Sequence, residues 1–583
     1  MGLYNSGSNG RGKPFDFKSR NEKGSQSQVQ KLTEPDAVKK WTSLVSGNRL
    51  MRRASTLLLT VFAVIVVVWF LAFPASAQSK ELIFGLPTSP ERLVPIQIKS
   101  PTTFPVSMQI YEGLFDLDEH GQVVPGVIKA WESKDNQTWI FHVQEGVMFH
   151  SSPVFPQGTR EVTAKDVVYS LTKFCGPESY SAFMLTDYIQ GARAYNQGQK
   201  ESVSGIKALD KYTVEITLTR SVPFFIHHIS NPVLCVFPRE LQKEEFKEDF
   251  GLDRAVGTGP YVLKSRNENQ IVLQKNPLYW DTENQPEMDR IVFKVIRNDQ
   301  TRLINLQRGH VDVMVVPASM LGSVLTAEGK LKSQFEEFEL KAVDTFNSHL
   351  IGINTKAVAD PDLRRALYWG TDREAMVRQL LQGQGDVTGG AVPPGLHGYK
   401  SPFPSHIYDP EKAQHFLAKS SYSGEEIELL MHDLSGSQLM AQVFQAQMAN
   451  IGINIKLKKM DFGSVMNKMV KGEAELFSMF FEYAFSSPEP VLISLFSSSK
   501  IPVPNFFHFQ SPQVDTMLDK LYHLQDRQSS LKLCADIESK VMEAVPAVFL
   551  YRQKKLILHH EDVQGLEVNG NSHIFLERVH REQ

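Results

Sequence analysis

Histidines are the side chains whose spacing first suggests chemistry, because they bind metals and transfer protons near neutral pH. Four of the 17 histidines form two adjacent pairs, His227-His228 and His559-His560. Neighbouring side chains on a strand point to opposite faces, so a metal site would need ligands from elsewhere in the chain. We therefore predict structural or surface roles for both pairs, and no metal site.

Motifs of catalytic and nucleotide-binding sites are missing from the sequence. It contains no H-E-x-x-H, no G-x-S-x-G and no G-x-x-x-x-G-K-[ST]. Gly383, Gly385 and Gly389 follow a predicted helix rather than a strand, which is the wrong geometry for a phosphate site. The sequence therefore predicts a protein that is not an enzyme and that carries no cofactor.

The composition is that of a globular protein. Hydrophobic residues make up 42% and charged residues 22% of 583 residues, which argues against global disorder and against a protein with many membrane spans. A formal net charge of -3 gives no indication of a nucleic-acid partner. Three cysteines exclude a disulfide scaffold. Cys175 and Cys235 could form one disulfide. Alternatively, all three cysteines, including Cys534, could be buried thiols.

The first 77 residues differ from the rest. Residues 1–50 are polar and basic and are predicted to be disordered, or to precede a true start at Met51. Residues 51–77 read as a signal peptide: Arg52 and Arg53 precede an apolar stretch, and Ala75-Ser76-Ala77 forms a cleavage site. The alternative is an uncleaved membrane anchor, since the apolar stretch is long enough to approach a membrane span. Both interpretations predict export.

Helix and strand signals alternate through the remaining chain, which indicates an α/β protein. Apolar alternation predicts a strand over Tyr212–Leu218. Helix starts are marked by a capping box at Thr163 and by an acidic N-cap before proline at Asp360 and Asp409. A further helix is predicted to begin at Asp372 and to end before Gly383.

Four long segments carry a resemblance to a known family. They are VPGVIKAWESKDNQTWIFHVQEGVMFH, VTAKDVVYSLTKF, VGTGPYVLKSRNENQIVLQKNPLYWD and IGINTKAVADPDLRRALYWGTDREAMVRQLLQGQG. In sequence and order they resemble the signature blocks of bacterial extracellular solute-binding proteins of family 5, the peptide and nickel-binding class. The similarity covers residues 80 to 583.

The resemblance implies an α/β, two-lobe periplasmic-binding-protein fold with a two-segment hinge and an extra subdomain in lobe one. The chain is expected to cross to lobe two near Val316-Pro317 and to return near Arg552 to Leu558. The implied boundaries are 78–317 for lobe one, with the extra subdomain at about 114–210, 318–554 for lobe two, and 555–583 for the return to lobe one.

The resemblance also implies a function. A periplasmic, monomeric member of the family would capture a peptide or peptide-like solute between its lobes and deliver it to the permease subunits of an ABC transporter. Two alternatives stay open: a membrane-tethered receptor or sensor of the same fold, and binding of a non-peptide solute such as an oligosaccharide or a metal chelate.

The segment FFEYAFSSPEP, residues 480–490, departs from the family pattern. Peptide-binding members usually carry a Trp, an Asp three residues later that pairs with the peptide amine, and then an acid-Pro pair. Alignment on Glu489-Pro490 puts Tyr483 at the Trp position and Ser486 at the Asp position. Serine brings no negative charge, so the amine anchor is missing. Glu482 or Glu489 could compensate.

The resemblance thus gives a set of candidate ligand-binding residues. Phe485 and Tyr483 could form an aromatic wall, or they could belong to an ordinary buried strand. Tyr111 is a further pocket candidate near the expected cleft. If Ser486 occupies the anchor position, Ser486→Asp should increase affinity for unmodified peptides. The candidates are Tyr483, Ser486, Glu489, Phe485 and Tyr111.

Overall fold

The computed structural model describes residues 80–98, 102–118, 122–404, 407–432, 435–483 and 485–582. The predicted basic extension and the predicted signal peptide or anchor lie outside these residues. Within the described ranges, no helix has both the length and the apolar character needed to cross a membrane.

A seven-stranded sheet forms the base of the first lobe. Its strands come from both ends of the chain, because Glu81–Leu86 pairs in parallel with both Arg290–Val295 and Val313–Val315, and the latter pairs with Lys555–His560. The order across the sheet is Phe338–Val343, Lys555–His560, Val313–Val315, Glu81–Leu86, Arg290–Val295, Gln270–Lys275 and Tyr261–Arg266.

A six-stranded sheet forms the second lobe. Its central strand, Asn347–Ile353, is buried along most of its length and pairs antiparallel with both neighbours. The order across the sheet is Gly385–Val387, Ala547–Gln553, Asn347–Ile353, Leu476–Glu482, Ile427–His432 and Ile455–Met460. We call the parts of the chain that carry the seven-stranded and six-stranded sheets lobe one and lobe two.

A four-stranded antiparallel sheet is inserted in lobe one, in the region where an extra subdomain is expected. The predicted strand near Tyr212–Leu218 is confirmed as Thr213–Thr217, with Val214 and Ile216 fully buried. The order is Ile128–Ser133, Thr138–Val143, Thr213–Thr217 and Ile206–Ala208. Three small two-stranded sheets complete lobe one: Phe115–Leu117 with Val123–Pro125, Val563–Gln564 with His580–Arg581, and Glu567–Val568 with Ile574–Phe575.

Four helices begin where the sequence predicts a helix start. Thr163 and Asp166 form the predicted capping box, and the carboxylates of Asp360, Asp372 and Asp409 accept hydrogen bonds from the first-turn backbone. The α-helices of the described residues are Phe104–Ile110, Ala164–Phe174, Ala192–Asn196, Phe225–Ile229, Glu244–Lys247, Asp299–Gln307, Leu321–Val324, Pro361–Trp369, Arg373–Leu381, Pro410–Lys419, Ser435–Asn450, Phe462–Lys471, Pro488–Phe496, Pro512–Lys520 and Arg527–Ala544.

Two short segments join the sheets. The chain leaves the seven-stranded sheet at Val343 and enters the six-stranded sheet at Asn347, and it returns between Gln553 and Lys555. The first crossing is thus later than the expected Val316-Pro317, because Phe338–Val343 pairs with Lys555–His560 and so stays with lobe one. The return lies within the expected range of Arg552 to Leu558.

The histidine pairs and the cysteines have different surroundings. His559-His560 lies on a strand, but His227-His228 lies on the helix Phe225–Ile229 rather than on a strand. All three cysteines are buried and free, so Cys175 and Cys235 form no disulfide. In the described ranges, no three side chains of His, Cys, Asp or Glu are placed to hold a metal ion.

Candidate functional site

A cavity of about 230 Å³ lies where lobe one, lobe two and the C-terminal segment meet. Lobe one contributes Met108, from the helix Phe104–Ile110, and Pro232. Lobe two contributes Glu482 and Tyr483, and residues 571–574 close another side. We call this space the interlobe cavity.

Strand pairing positions the lobe-two residues of the cavity. Leu476–Glu482 runs antiparallel to Asn347–Ile353, and Glu482 is paired with Asn347 at the end of the ladder. Tyr483 follows this end, so its backbone N–H donates to the Phe346 carbonyl oxygen at 2.8 Å. Its hydroxyl donates to the Ala391 carbonyl oxygen at 2.9 Å. These bonds hold the Tyr483 ring as a fixed wall of the cavity.

The interlobe cavity contains side chains of opposite charge. Glu482, at the strand end, is exposed, whereas Lys555 begins the returning strand of lobe one. Nζ of Lys555 donates to the Ser572 carbonyl oxygen at 3.0 Å. Burial lowers the pKa of Lys555, and the Glu482 carboxylate acts in the opposite direction. A negative and a positive group therefore face one small space.

Ser486 lies outside this cavity, in a direct contact between the lobes. It is 1% exposed, and its hydroxyl donates to the His227 carbonyl oxygen at 3.2 Å. Its Oγ also lies 3.3 Å from Oγ of Ser230. His227 and Ser230 belong to lobe one. The hydroxyl at the expected amine-anchor position is therefore satisfied by protein groups.

Phe485 belongs to the same contact. Its ring stacks on the ring of His228 with centroids 4.8 Å apart, and it meets the edge of Phe183 at 6.5 Å. Burial lowers the pKa of His228 to about 4, so the ring is neutral at neutral pH. We call Phe485, Ser486, His227, His228 and Ser230 the interlobe contact.

The carboxylate of Glu489 is hydrogen-bonded to other residues of lobe two. It lies in the first turn of the helix Pro488–Phe496, and its carboxylate is 1% exposed. The hydroxyl of Ser530 donates to it at 2.6 Å, and Ser487 and Arg527 donate as well. Glu489 therefore stabilises the packing of two helices within this lobe.

Tyr111 lines a second, smaller cavity of about 90 Å³ in lobe one. Its hydroxyl donates to the Leu93 carbonyl oxygen at 2.8 Å, and burial raises its pKa. The adjacent Glu112 lines the same cavity and accepts hydrogen bonds from Trp280 Nε1 at 2.9 Å and from the Tyr279 hydroxyl at 3.2 Å. Tyr279 and Trp280 thus orient the half-buried carboxylate of Glu112.

Several residues of the two cavities were missed by sequence reasoning. Lys555, His573 and Glu577 come from the last 29 residues and have no motif around them. Glu112 could have been found, since it follows the candidate Tyr111 directly. The structure brings Tyr483 to the interlobe cavity and Tyr111 to the second cavity, and it places the other candidates elsewhere.

Comparisons with known proteins show a consistent similarity over most of the chain. The sequence model described as bacterial extracellular solute-binding proteins, family 5 middle, matches residues 122–502. The dipeptide-binding protein of Escherichia coli strain K12 is 26% identical over 515 residues, covering 85% of this chain and 93% of that protein. The glutathione-binding protein of Salmonella typhi is 26% identical over 508 residues, with 85% and 93% covered.

A solved structure gives the same fold. The ABC transporter-associated periplasmic binding protein from Helicobacter pylori, in complex with the peptide STSA, has a TM-score of 0.70 and 20% sequence identity. The match covers 86% of this chain and 98% of that one. The two-lobe architecture of periplasmic binding proteins is therefore shared.

Proposed function

Given that this chain belongs to the bacterial extracellular solute-binding proteins of family 5, we propose that it is the periplasmic substrate-binding component of an ABC importer. In this proposal it captures a peptide or peptide-like solute between its lobes and delivers it to a membrane permease. Relatives named for dipeptide and glutathione binding support this class of solute.

The observation that carries the proposal is the pair of opposite charges in the interlobe cavity. Glu482 can accept charge-assisted hydrogen bonds from an ammonium group, and Lys555 can donate them to a carboxylate. A small zwitterionic solute such as a peptide presents both groups. Because Glu482 belongs to lobe two and Lys555 to lobe one, a solute that pairs with both would favour the approach of the lobes.

The two crossing segments suit a hinge. Among the residues that the structure describes, two short segments, residues 344–346 and residue 554, connect the strands of one sheet to those of the other. Asp344 lies 3.6 Å from Nζ of Lys554 and 3.7 Å from Nη2 of Arg552, so the two segments are tied together by ion pairs. Short connections of this kind allow a rotation of whole lobes while each sheet stays intact.

Further contacts join the lobes away from the cavity. The guanidinium of Arg220 in lobe one lies 3.4 Å above the Tyr522 ring of lobe two, and its Nη1 donates to Asp519 at 3.0 Å. Lys500 and Asp187 form another ion pair across the lobes. Binding and release of a solute, rather than a catalysed reaction, is the activity that such a closing arrangement serves. Homologues are binding proteins as well.

Native mass spectrometry tests the proposal directly. The protein, expressed from its complete coding sequence and purified from the exported fraction, is denatured and any released small molecule is identified. We expect a peptide or a peptide-like compound with an amine and a carboxylate. An oligosaccharide or a metal chelate would contradict the proposal. If the protein is empty, calorimetry with a dipeptide library replaces the release step, and absence of binding at millimolar concentrations would contradict it.

A further inference from the structure

The second cavity adjoins the interlobe cavity. Met108, Pro232 and His573 line both spaces, so these three residues form the wall between them. The smaller cavity is about 90 Å³, several times the ~10–15 Å³ of cavity volume that one water molecule requires. It has room for one small chemical group of a solute that occupies the larger cavity.

The smaller cavity has an unbalanced charge. Four carboxyl side chains line it, and no lysine or arginine among the described residues does. Burial raises the pKa of Glu112 and of Glu577 to about 7 and raises that of Asp116 too. We call this space the acidic cavity; its carboxyl groups are Glu112, Asp116, Asp281 and Glu577.

One cation, Arg578, stands beside the acidic cavity rather than in it. Arg578 is 42% exposed and forms an ion pair with Glu567. Its Nε lies 3.9 Å from Glu577, which is too far for a hydrogen bond. Arg578 therefore offsets part of the negative potential without filling the space between the carboxyl groups.

His573 gives an independent indication of a ligand. Both of its ring nitrogens are buried, and neither has a hydrogen-bond partner among the described residues. Burial, together with the charges of Lys555 and Arg578, lowers its pKa to about 4, so the ring is neutral at pH 7. A neutral imidazole has one acceptor nitrogen, and burying polar groups without partners costs stability. A ligand with N–H groups would satisfy the acceptor.

The groups around the acidic cavity thus favour a ligand that donates hydrogen bonds. Carboxylates and the bare imidazole nitrogen accept hydrogen bonds, and Trp280 and Tyr279 already orient Glu112. A metal ion fits poorly, since no group of three or more metal-ligating side chains is assembled in the described part of the chain. An organic cation with several N–H donors fits both the charge and the size.

We propose that the acidic cavity is a subsite for the cationic end, a primary ammonium or a guanidinium, of the solute held in the interlobe cavity. This inference rests on the proposed function and specifies its solute.

A pair of dipeptides tests the subsite by calorimetry. Alanyl-lysine carries an ammonium on its side chain, and alanyl-norleucine has the same chain without it. We expect alanyl-lysine to bind at least about tenfold more tightly than alanyl-norleucine, because hydrogen bonds to charged groups are stronger than those between neutral groups. In Glu577→Gln, which conserves the side-chain shape, the preference should fall to about threefold or less. Glu201→Gln, on an exposed loop, is the matched control and should keep the full preference.

The outcomes separate the subsite from the general function. Equal affinity for the two dipeptides in the wild-type protein would overturn the subsite and leave peptide capture standing. If neither dipeptide binds, the peptide proposal fails. The acidic cavity is then tested alone by measuring the thermal unfolding midpoint with and without methylguanidinium. A rise of the midpoint in the wild type that is lost in both Glu577→Gln and Asp116→Asn would support the subsite. No rise in the wild type would overturn it.

Discussion

The interlobe contact and the interlobe cavity are neighbours in sequence at two places, Ser230 beside Pro232 and Tyr483 beside Phe485, but the contact and the two cavities treat polar groups in opposite ways. At the interlobe contact, Ser486 is hydrogen-bonded to lobe one and Phe485 stacks on the neutral His228. In the cavities, charged groups of lobe two, lobe one and the C-terminal segment face open space, and His573 lacks partners among the described residues.

The difference indicates where the proposed solute site lies. A polar group that the protein itself satisfies contributes to closing the lobes, whereas a buried group that the protein leaves unsatisfied costs stability until a ligand binds it. Ser486 belongs to the first kind, and His573 belongs to the second. Substitutions in the two regions should therefore have different consequences for stability and for binding.

The largest expected effect comes from a carboxylate that the protein satisfies completely. Arg527→Met leaves Glu489 buried without its cation, so we expect the free energy of unfolding to fall by about 3 kcal/mol. Because Glu489 lies within lobe two, affinity for the solute should change by less than about threefold. Urea unfolding and calorimetry measure the two quantities. A loss of affinity with unchanged stability would place Glu489 in the solute site.

The carboxyl groups of the acidic cavity should make the free energy of unfolding depend on pH. Burial raises the pKa of Glu577 to about 7 in the folded protein, while it is about 4.3 in an unfolded chain. Between these values the folded state retains a proton that the unfolded state has lost, so this group makes the free energy of unfolding fall as pH rises from about 4.3 to about 7.

Glu577→Gln should remove that decrease. Relative to the wild type, the variant should gain on the order of 2 kcal/mol between pH 4.5 and pH 7.5, measured by urea unfolding at several pH values. Glu201→Gln provides the control for the loss of one charge. Parallel pH profiles for the wild type and Glu577→Gln would show that burial does not raise the pKa of this carboxyl group.

Lys555 tests the interlobe cavity. Lys555→Met keeps most of the apolar side chain and removes the positive charge, so affinity for a solute with a free carboxylate should fall about tenfold. The exposed Lys200→Met should leave affinity unchanged. Calorimetry with the solute and with its carboxamide separates the contribution of charge. An equal loss for both compounds would mean that Lys555 acts through packing alone.

The smallest effect is expected at the interlobe contact. A carboxylate introduced by Ser486→Asp would face the carbonyl oxygen of His227 in a buried position, so closing becomes less favourable. Affinity for unmodified peptides should fall about fivefold, which reverses the expectation drawn from the family pattern alone. Ser486→Ala is the control and should change affinity by less than about twofold. Tighter binding by Ser486→Asp would restore position 486 as an amine anchor.

Local structure could be predicted from the sequence because its causes are local. The capping box at Thr163 and the N-caps at Asp360 and Asp409 involve groups within three residues of each other. The two-lobe fold was predicted from the segments that resemble the family. The point where the chain first changes sheets was harder, because it depends on the pairing of Phe338–Val343 with Lys555–His560, more than 200 residues away.

Two candidates that line the cavities, Tyr483 and Tyr111, were named from the family resemblance. Tyr483 was found because the segment 480–490 has a recognisable pattern. Lys555, His573 and Glu577 were not, since a single lysine, histidine or glutamate near the C-terminus carries no periodic or motif signal. Their roles arise from the return of the chain to lobe one, which brings them next to Met108 and Glu482.

A crystal structure of the protein with the solute identified by mass spectrometry would test the central claim most directly. The account predicts that the solute fills the interlobe cavity, contacts Glu482 and Lys555, and directs its cationic group past His573 toward Glu112 and Glu577. Ser486 should remain bonded to His227. A solute whose amine is bound by the Ser486 hydroxyl, or one that lies outside both cavities, would contradict it.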